Sequence, residues 1–152
     1  MKRELSVGVI LYYQDFKTKK RKYLLLKYKG LTGKTYWGLV KGHKEKKEKI
    51  LETAKREAKE ETGLLLKKFD PHFKKEEKYY FKKNNELILK RVIYFLAPAP
   101  SKKIVLSEEH LDYRWVDLKQ AQKLIKFKNL KKILEDAENY LQRKSTKNSQ
   151  KN

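Results

Sequence analysis

The sequence predicts a protein of the α/β class, in its α+β form: one mixed β-sheet sandwiched between α-helices. Two observations carry this prediction. Segments rich in β-branched and aromatic residues alternate with segments of helical periodicity, in the order strands, helix, strands, helices, with no internal repeat. The 152 residues are one domain's worth, long enough for a proper core and too short for two. The domain is placed at residues 1–144. Ser145 to Asn152 is polar and unpatterned, and is expected to be a disordered tail.

In chain order, Leu5 to Tyr13 (LSVGVILYY) reads as a strand, with Gly8 marking a close approach of backbone. A polar, lysine-rich turn follows, and Lys22 to Tyr28 returns antiparallel to the first strand. Lys29 to Tyr36 is a loop, and Tyr36 to Val40 is an extended segment leading into Gly42. Beyond Asp70-Pro71 come a strand from Phe73 to Phe81, a turn at Asn84-Asn85 and a strand from Glu86 to Ala97 that Pro98 and Pro100 end. Ser101 to Leu111 is a loop with an acidic knot, Ser107-Glu108-Glu109-His110. Tyr113 to Val116 is a short strand, with Trp115 assigned to the core, and Asp117 caps a helix running to about Ile125. Leu130, Ile133, Leu134, Ala137, Tyr140 and Leu141 mark one face of a C-terminal amphipathic helix.

The rest of the chain is organised around Gly42 to Leu64 (GHKEKKEKILETAKREAKEETGL). Ile50, Leu51, Ala54 and Ala58 fall on one side of a helix turning about 100° per residue. Glu57 and Glu61 project about 20° to either side of Ile50, inside the apolar sector, and Glu60 lies about 80° away at its edge. Carboxylates so spaced repel and raise one another's pKa unless a cation lies between them. A divalent, oxygen-seeking ion such as Mg²⁺ resolves that conflict, because carboxylates and substrate phosphates are its usual ligands. A merely solvated charged face would not place the acids among apolar residues.

Gly42, Glu48, Arg56-Glu57-Ala58, Glu60-Glu61 and Gly63-Leu64 stand at the spacing GX5EX7REUXEEXGU, with U apolar, and the stretch resembles the complete Nudix box. The resemblance implies a Nudix-type mixed sheet between helices, and hydrolysis of a nucleoside diphosphate linked to another group, with water attacking phosphorus. It implies magnesium, Mg²⁺, as cofactor, with Mn²⁺ as the alternative, held by Glu57, Glu60, Glu61 and the backbone carbonyl of Lys41. Glu48 and Arg56 are implied to brace the loop against the helix, and Gly63 is the expected helix stop.

Composition limits the function classes. Without cysteine there is no disulfide framework and no thiolate metal site. Nothing resembles a signal peptide, and no apolar run approaches the roughly 20 residues that span a bilayer. The expectation is a cytoplasmic protein with no membrane partner. The 40 Lys+Arg against 19 Asp+Glu give +21, a field that favours polyanions. The lysines are scattered over every segment, so a general lysine habit competes with a dedicated RNA surface.

A second resemblance covers nearly the whole chain. Trp37 to His43 (WGLVKGH), Lys90 to Ala97 (KRVIYFLA), Leu106 to His110 (LSEEH) and Tyr113-Arg114-Trp115 together resemble the asymmetrical diadenosine tetraphosphate (Ap4A) hydrolases of the Nudix superfamily, which cleave Ap4A to ATP and AMP. By position, Lys90 and Tyr94 are implied to hold polyphosphate, and four residues apart on a strand they face one side. Lys41 is implied as a further phosphate contact. Tyr79 and Phe127 match aromatic rings that stack on adenine, and Glu109 matches a late glutamate that binds metal or activates water. Alternation allows only one of Tyr94 and Phe95 to face the pocket. Two positions depart from the pattern: Val40 stands where proline is usual, and Tyr36 where a phosphate-site histidine is. Tyr36 can donate a hydrogen bond to phosphate but is no cation at neutral pH. His43 and His110 are too far apart in sequence to form a metal motif and are weighed only as substrate contacts.

The expected partner is a small nucleotide, Ap4A. An RNA 5′-pyrophosphohydrolase, which would profit from the charge, is the second choice, and a nucleotide- or RNA-binding module without turnover is the third. The sequence fixes no oligomeric state.

Overall fold

In the computed structural model, which describes residues 1–151 with side chains through Lys147, a curled seven-stranded mixed sheet lies between helices. Strands β1 (Lys2–Gln14), β2 (Arg21–Lys29), β3 (Thr35–Gly38) and β4 (Val40–His43) precede helix α1 (Ile50–Thr62). Strands β5 (Lys75–Lys83), β6 (Glu86–Pro98) and β7 (Asp112–Val116) lead to helices α2 (Leu118–Leu124) and α3 (Lys128–Lys151). The main path is β3-β2-β1-β6-β5, with β4 pairing β1 and β7 pairing β2. Sequence alternation places β1 and β2 antiparallel, as observed, but only the structure reveals that β1 and β6 run parallel, from Lys2 opposite Ile88 to Tyr12 opposite Pro98.

Strict alternation sorts the core into two layers. Ile10, Tyr23, Leu25, Val92, Tyr94 and Leu96 pack with Leu130, Ile133, Leu134 and Ala137 of α3. The neighbours one position away turn to the α1 side, where Val9, Leu11, Leu24 and Leu26 pack with Ala58, and Val7, Ile93 and Phe95 pack with Ala54. Trp115 packs on this second layer only half-buried.

Local chemistry explains the joints. Asn84 and Asn85 both adopt positive φ, +52° and +62°, the pair of left-handed residues that a two-residue hairpin requires and that asparagine tolerates. Gly63 stops α1 at φ +77°, with its N–H on the Lys59 carbonyl at 2.9 Å. Asp117 accepts from the N–H of Gln120 at 2.9 Å and so caps α2.

Three expectations need correction. The extended segment Tyr36 to Val40 is two strands that break at Leu39, because β3 pairs β2 while β4 crosses to β1. Leu51, on the apolar side by angle, lies in the first turn of α1 and is 41% exposed. The polar segment from Ser145 continues α3 to Lys151, with the Thr146 hydroxyl on the Gln142 carbonyl at 3.0 Å. Lysine and glutamine are good helix formers, so the helix outlasts its apolar face; Asn152 lies outside the described residues. Among the described residues, no helix is long and apolar enough to cross a membrane.

Candidate active site

The strand β4 delivers Lys41 and Gly42 against the buried face of α1. Glu57 and Glu61 are both buried there, as their angular position predicts. A Cβ on Gly42 would fall 1.9 Å from Cδ of Glu57, so only glycine lets the β4 backbone pass this carboxylate. Glu61 accepts from the backbone N–H of Lys41 at 3.1 Å, which ties strand and helix together. Its other oxygen lies 2.9 Å from Nε2 of His110, itself buried and edge-on to Tyr28 at 4.5 Å.

Arg56 organises the helix start. It grips Glu48 through two nitrogens at 2.6 and 3.1 Å, bonds the carbonyl of His43 at 2.8 Å, and reaches Glu57 at 2.8 Å. The Glu48–Arg56 pair therefore braces the loop before α1, as the sequence implies. The guanidinium holds the Glu48 carboxyl down at about 2. Glu60, 56% exposed, is turned to the same guanidinium at 3.2 Å and does not join Glu57 and Glu61.

The two buried carboxylates are electrostatically frustrated. Burial first, and Glu61 second, push Glu57 up to about 7, against the pull of Arg56. Burial raises Glu61 as well, opposed by His110 and the Lys41 N–H. Glu109 is exposed on the loop before β7, and its charge acts on Glu61 in the same upward direction. Two hard oxygen donors that repel each other in a partly desolvated place suit a divalent cation, whose charge would relieve both. Glu57 and Glu61 thus fit such an ion as two of its donors, while Glu60, held by Arg56, stands apart from them.

Beside this cluster opens a cavity of about 660 Å³. Tyr36, Lys41, Tyr79, Tyr94 and Phe127, all singled out by the sequence, line it. Tyr36 stacks on Tyr28 at 5.2 Å and meets the edge of Phe127 at 5.5 Å. Tyr94 faces this side and Phe95 the other, but Tyr94 is only 1% exposed and serves as floor. Lys90 is not on the cavity wall. It is buried nearby, 3.5 Å from Glu4 and 3.4 Å from Nδ1 of His43, and opposite Tyr79 in the β5–β6 register. Burial lowers the pKa of both Lys41 and Lys90, against the opposing pull of Glu77 and Glu61 on Lys41 and of Glu4 on Lys90. Sequence reasoning missed Tyr28, Glu77 and Phe81. The last two share a strand face with Tyr79, so period-two alternation carries the signal once Tyr79 is placed in the pocket.

Fold and site together define a hydrolase built on a glutamate-bearing helix beside a nucleotide-sized cavity. Residues 2–137 match the NUDIX domain, and the chain belongs to the Nudix hydrolase family. Among its relatives, the mouse bis(5′-nucleosyl)-tetraphosphatase [asymmetrical] is 36% identical over 110 residues, covering 70% of this chain and 72% of the mouse protein. Of the solved structures, a binary complex of the Ap4A hydrolase of C. elegans superposes with TM-score 0.67 at 20% identity, over 91% of this chain and 97% of that one. The NUDIX domain of Shewanella oneidensis NrtR, complexed with ADP ribose, gives 0.67 at 16% identity over 93% and 90%. Nudix hydrolases generally use divalent metal ions.

The Gly42 contact gives a direct test of the site. Because the clash is with the far end of a rotatable side chain, Gly42→Ala is expected to leave the unfolding midpoint nearly unchanged. Displacing the Glu57 carboxylate by about an ångström should instead lower turnover on the order of 10²-fold. Unfolding and initial-rate measurements on one preparation separate the two effects.

Proposed function

We propose that this enzyme hydrolyses Ap4A to ATP and AMP, using Mg²⁺ in preference to Mn²⁺, in the cytoplasm. One observation carries the reading. The ring-lined cavity meets the carboxylate cluster at Lys41, which lines the cavity while its N–H is bonded to Glu61. A base seated among the rings would therefore hold its phosphates at the acids. The mouse relative, an asymmetrical bis(5′-nucleosyl)-tetraphosphatase, supports a substrate of this class.

In this reading Tyr79 and Phe127 take one adenine between apolar ring faces. Lys41 and Lys90 bind the polyphosphate and stabilise the negative charge that grows on the departing ATP. Tyr36 donates its hydroxyl to a phosphate oxygen, and Tyr94 floors the pocket beneath. Glu57, Glu61 and, after leaving Arg56, Glu60 would hold the metal together with the Lys41 carbonyl. Bound there, a divalent ion neutralises phosphate charge and acidifies water. Glu109, exposed beside Glu61, accepts the proton of the attacking water. Water oxygen bonds to the phosphorus bearing one adenosine, the bridging P–O bond breaks, and the bond pair leaves with ATP.

Incubation with Ap4A and Mg²⁺, beside a triphosphorylated RNA of matched concentration, tests this. ATP plus AMP from Ap4A, with the RNA intact, is the expected result. Phosphate or pyrophosphate from the RNA with Ap4A untouched, at a rate falling steeply with salt, would overturn it in favour of RNA 5′-end hydrolysis.

A further inference from the structure

Glu77 is the feature of the cavity that neither stacking nor phosphate binding explains. It lies two residues before Tyr79 on β5, so both side chains leave the same face of the strand, and both line the cavity with Lys41. Its side chain is half-buried, and among the described residues it makes no hydrogen bond or ion pair. Burial raises its pKa against the opposing pull of Lys41. Glu77 in turn supplies the strongest charge acting on Lys41, Tyr79 and Tyr94. The carboxylate therefore shares the cavity with Lys41 and with the ring of Tyr79.

A partly desolvated carboxylate without a partner is costly, and the cost is recovered only when a ligand brings it a donor. A phosphate group cannot, since it would add like charge. In a nucleotide, the part between the base and the phosphates is the sugar, whose neighbouring hydroxyls are donors that a carboxylate is suited to accept. We infer that Glu77 holds the ribose hydroxyls of the nucleoside seated in this cavity, so that the enzyme selects ribonucleotides over deoxyribonucleotides. This rests on the nucleotide reading given above, and makes Glu77 a specificity residue on a wall otherwise edged by Lys126 and Lys128. The competing donor is the exocyclic amine of the base, at the far end of the nucleoside from Lys41.

The test compares kcat/KM for Ap4A with that for its analogue carrying 2′-deoxyadenosine at both ends, and with an analogue whose bases are unsubstituted purine. The wild-type enzyme should prefer ribose by at least roughly tenfold. Glu77→Leu should erase that preference, Glu77→Gln should keep part of it because an amide oxygen still accepts, and both should leave the adenine-to-purine ratio alone. Loss of the adenine preference with the ribose preference intact would overturn the inference in favour of the base amine. A wild-type enzyme that does not discriminate ribose, or a Leu variant that still does, would overturn it outright. Should Ap4A not be cleaved at all, the hydrolysis reading fails separately, and calorimetric binding of ATP against dATP decides the role of Glu77: equal affinity for wild type overturns it. A structural role alone would move stability and not these substrate ratios.

Discussion

Glu61→Gln is expected to lower kcat by roughly 10²–10⁴-fold, the range over which single charged groups act in such sites. Its carboxylate accepts from two directions at once, from the Lys41 N–H and from His110. A glutamine has one acceptor and one donor end, so it loses the charge, and its N–H is matched only if the His110 ring takes the tautomer that accepts at Nε2. Glu57→Gln removes equal charge but keeps an oxygen for Arg56, and its loss in turnover should be similar. Glu60→Gln is the discriminating variant. The Glu60 carboxylate is exposed and held by Arg56, so it could join the proposed metal site only by leaving that pair. A loss matching that of Glu61→Gln would mean that Glu60 makes this move during turnover. Release of ATP and AMP from the proposed substrate, Ap4A, measured at saturation, reports all three. Near-normal turnover in Glu61→Gln would remove this residue from the mechanism.

In metal-free buffer, the difference in stability between wild type and Glu57→Gln should widen as pH rises from about 4.5 to about 7. The sign follows from proton binding. The folded protein holds the Glu57 carboxyl at about 7 against its ordinary 4.5, so in that window the folded state binds more protons than the unfolded one. Stability then falls with pH, and the loss is complete above 7. At ~1.4 kcal/mol per tenfold change in proton affinity, the effect is on the order of 3 kcal/mol. Mg²⁺ should reverse it, since an ion that binds only the folded protein at a hundred times its Kd adds about 2.7 kcal/mol. Urea unfolding in EDTA between pH 5 and 8, repeated with Mg²⁺, is the measurement. A wild-type-to-variant difference that stays flat with pH, or metal that leaves wild type unmoved, would contradict the assignment of Glu57.

What was legible in the sequence was what depends on local spacing. The angle between Ile50, Glu57 and Glu61 foretells a buried acidic pair, and the structure buries both. Gly8 reads as a close backbone approach, and its Cβ would lie 2.4 Å from the Val40 carbonyl oxygen. Two asparagines between two alternating runs read as a turn and form one. What stayed hidden depends on distant segments meeting. His110 reaches Glu61 only because the loop after β6 folds back over α1, with the Ser107 N–H on the Glu61 carbonyl at 3.2 Å. Glu77 looks like one more charge on a lysine-rich strand until Lys41 is placed across from it. Glu60 satisfies the family's spacing as well as its neighbours do, yet its side chain goes to Arg56, a choice between partners that spacing cannot decide.

The parallel pairing of β1 with β6 has a consequence for the order in which the chain can be completed. Eleven residue pairs, from Lys2–Ile88 to Tyr12–Pro98, join the first strand to one that is synthesised long afterwards. At ~5–20 residues per second, β1 waits on the order of ten seconds for its longest partner. During that wait β2 and β4 can already pair with it, but an apolar edge of β1 stays open, and open edges recruit other chains. Closing so long a loop also slows folding. Substitutions that weaken β6 should therefore lower the yield of soluble protein during synthesis more than they lower the stability of molecules that have already folded.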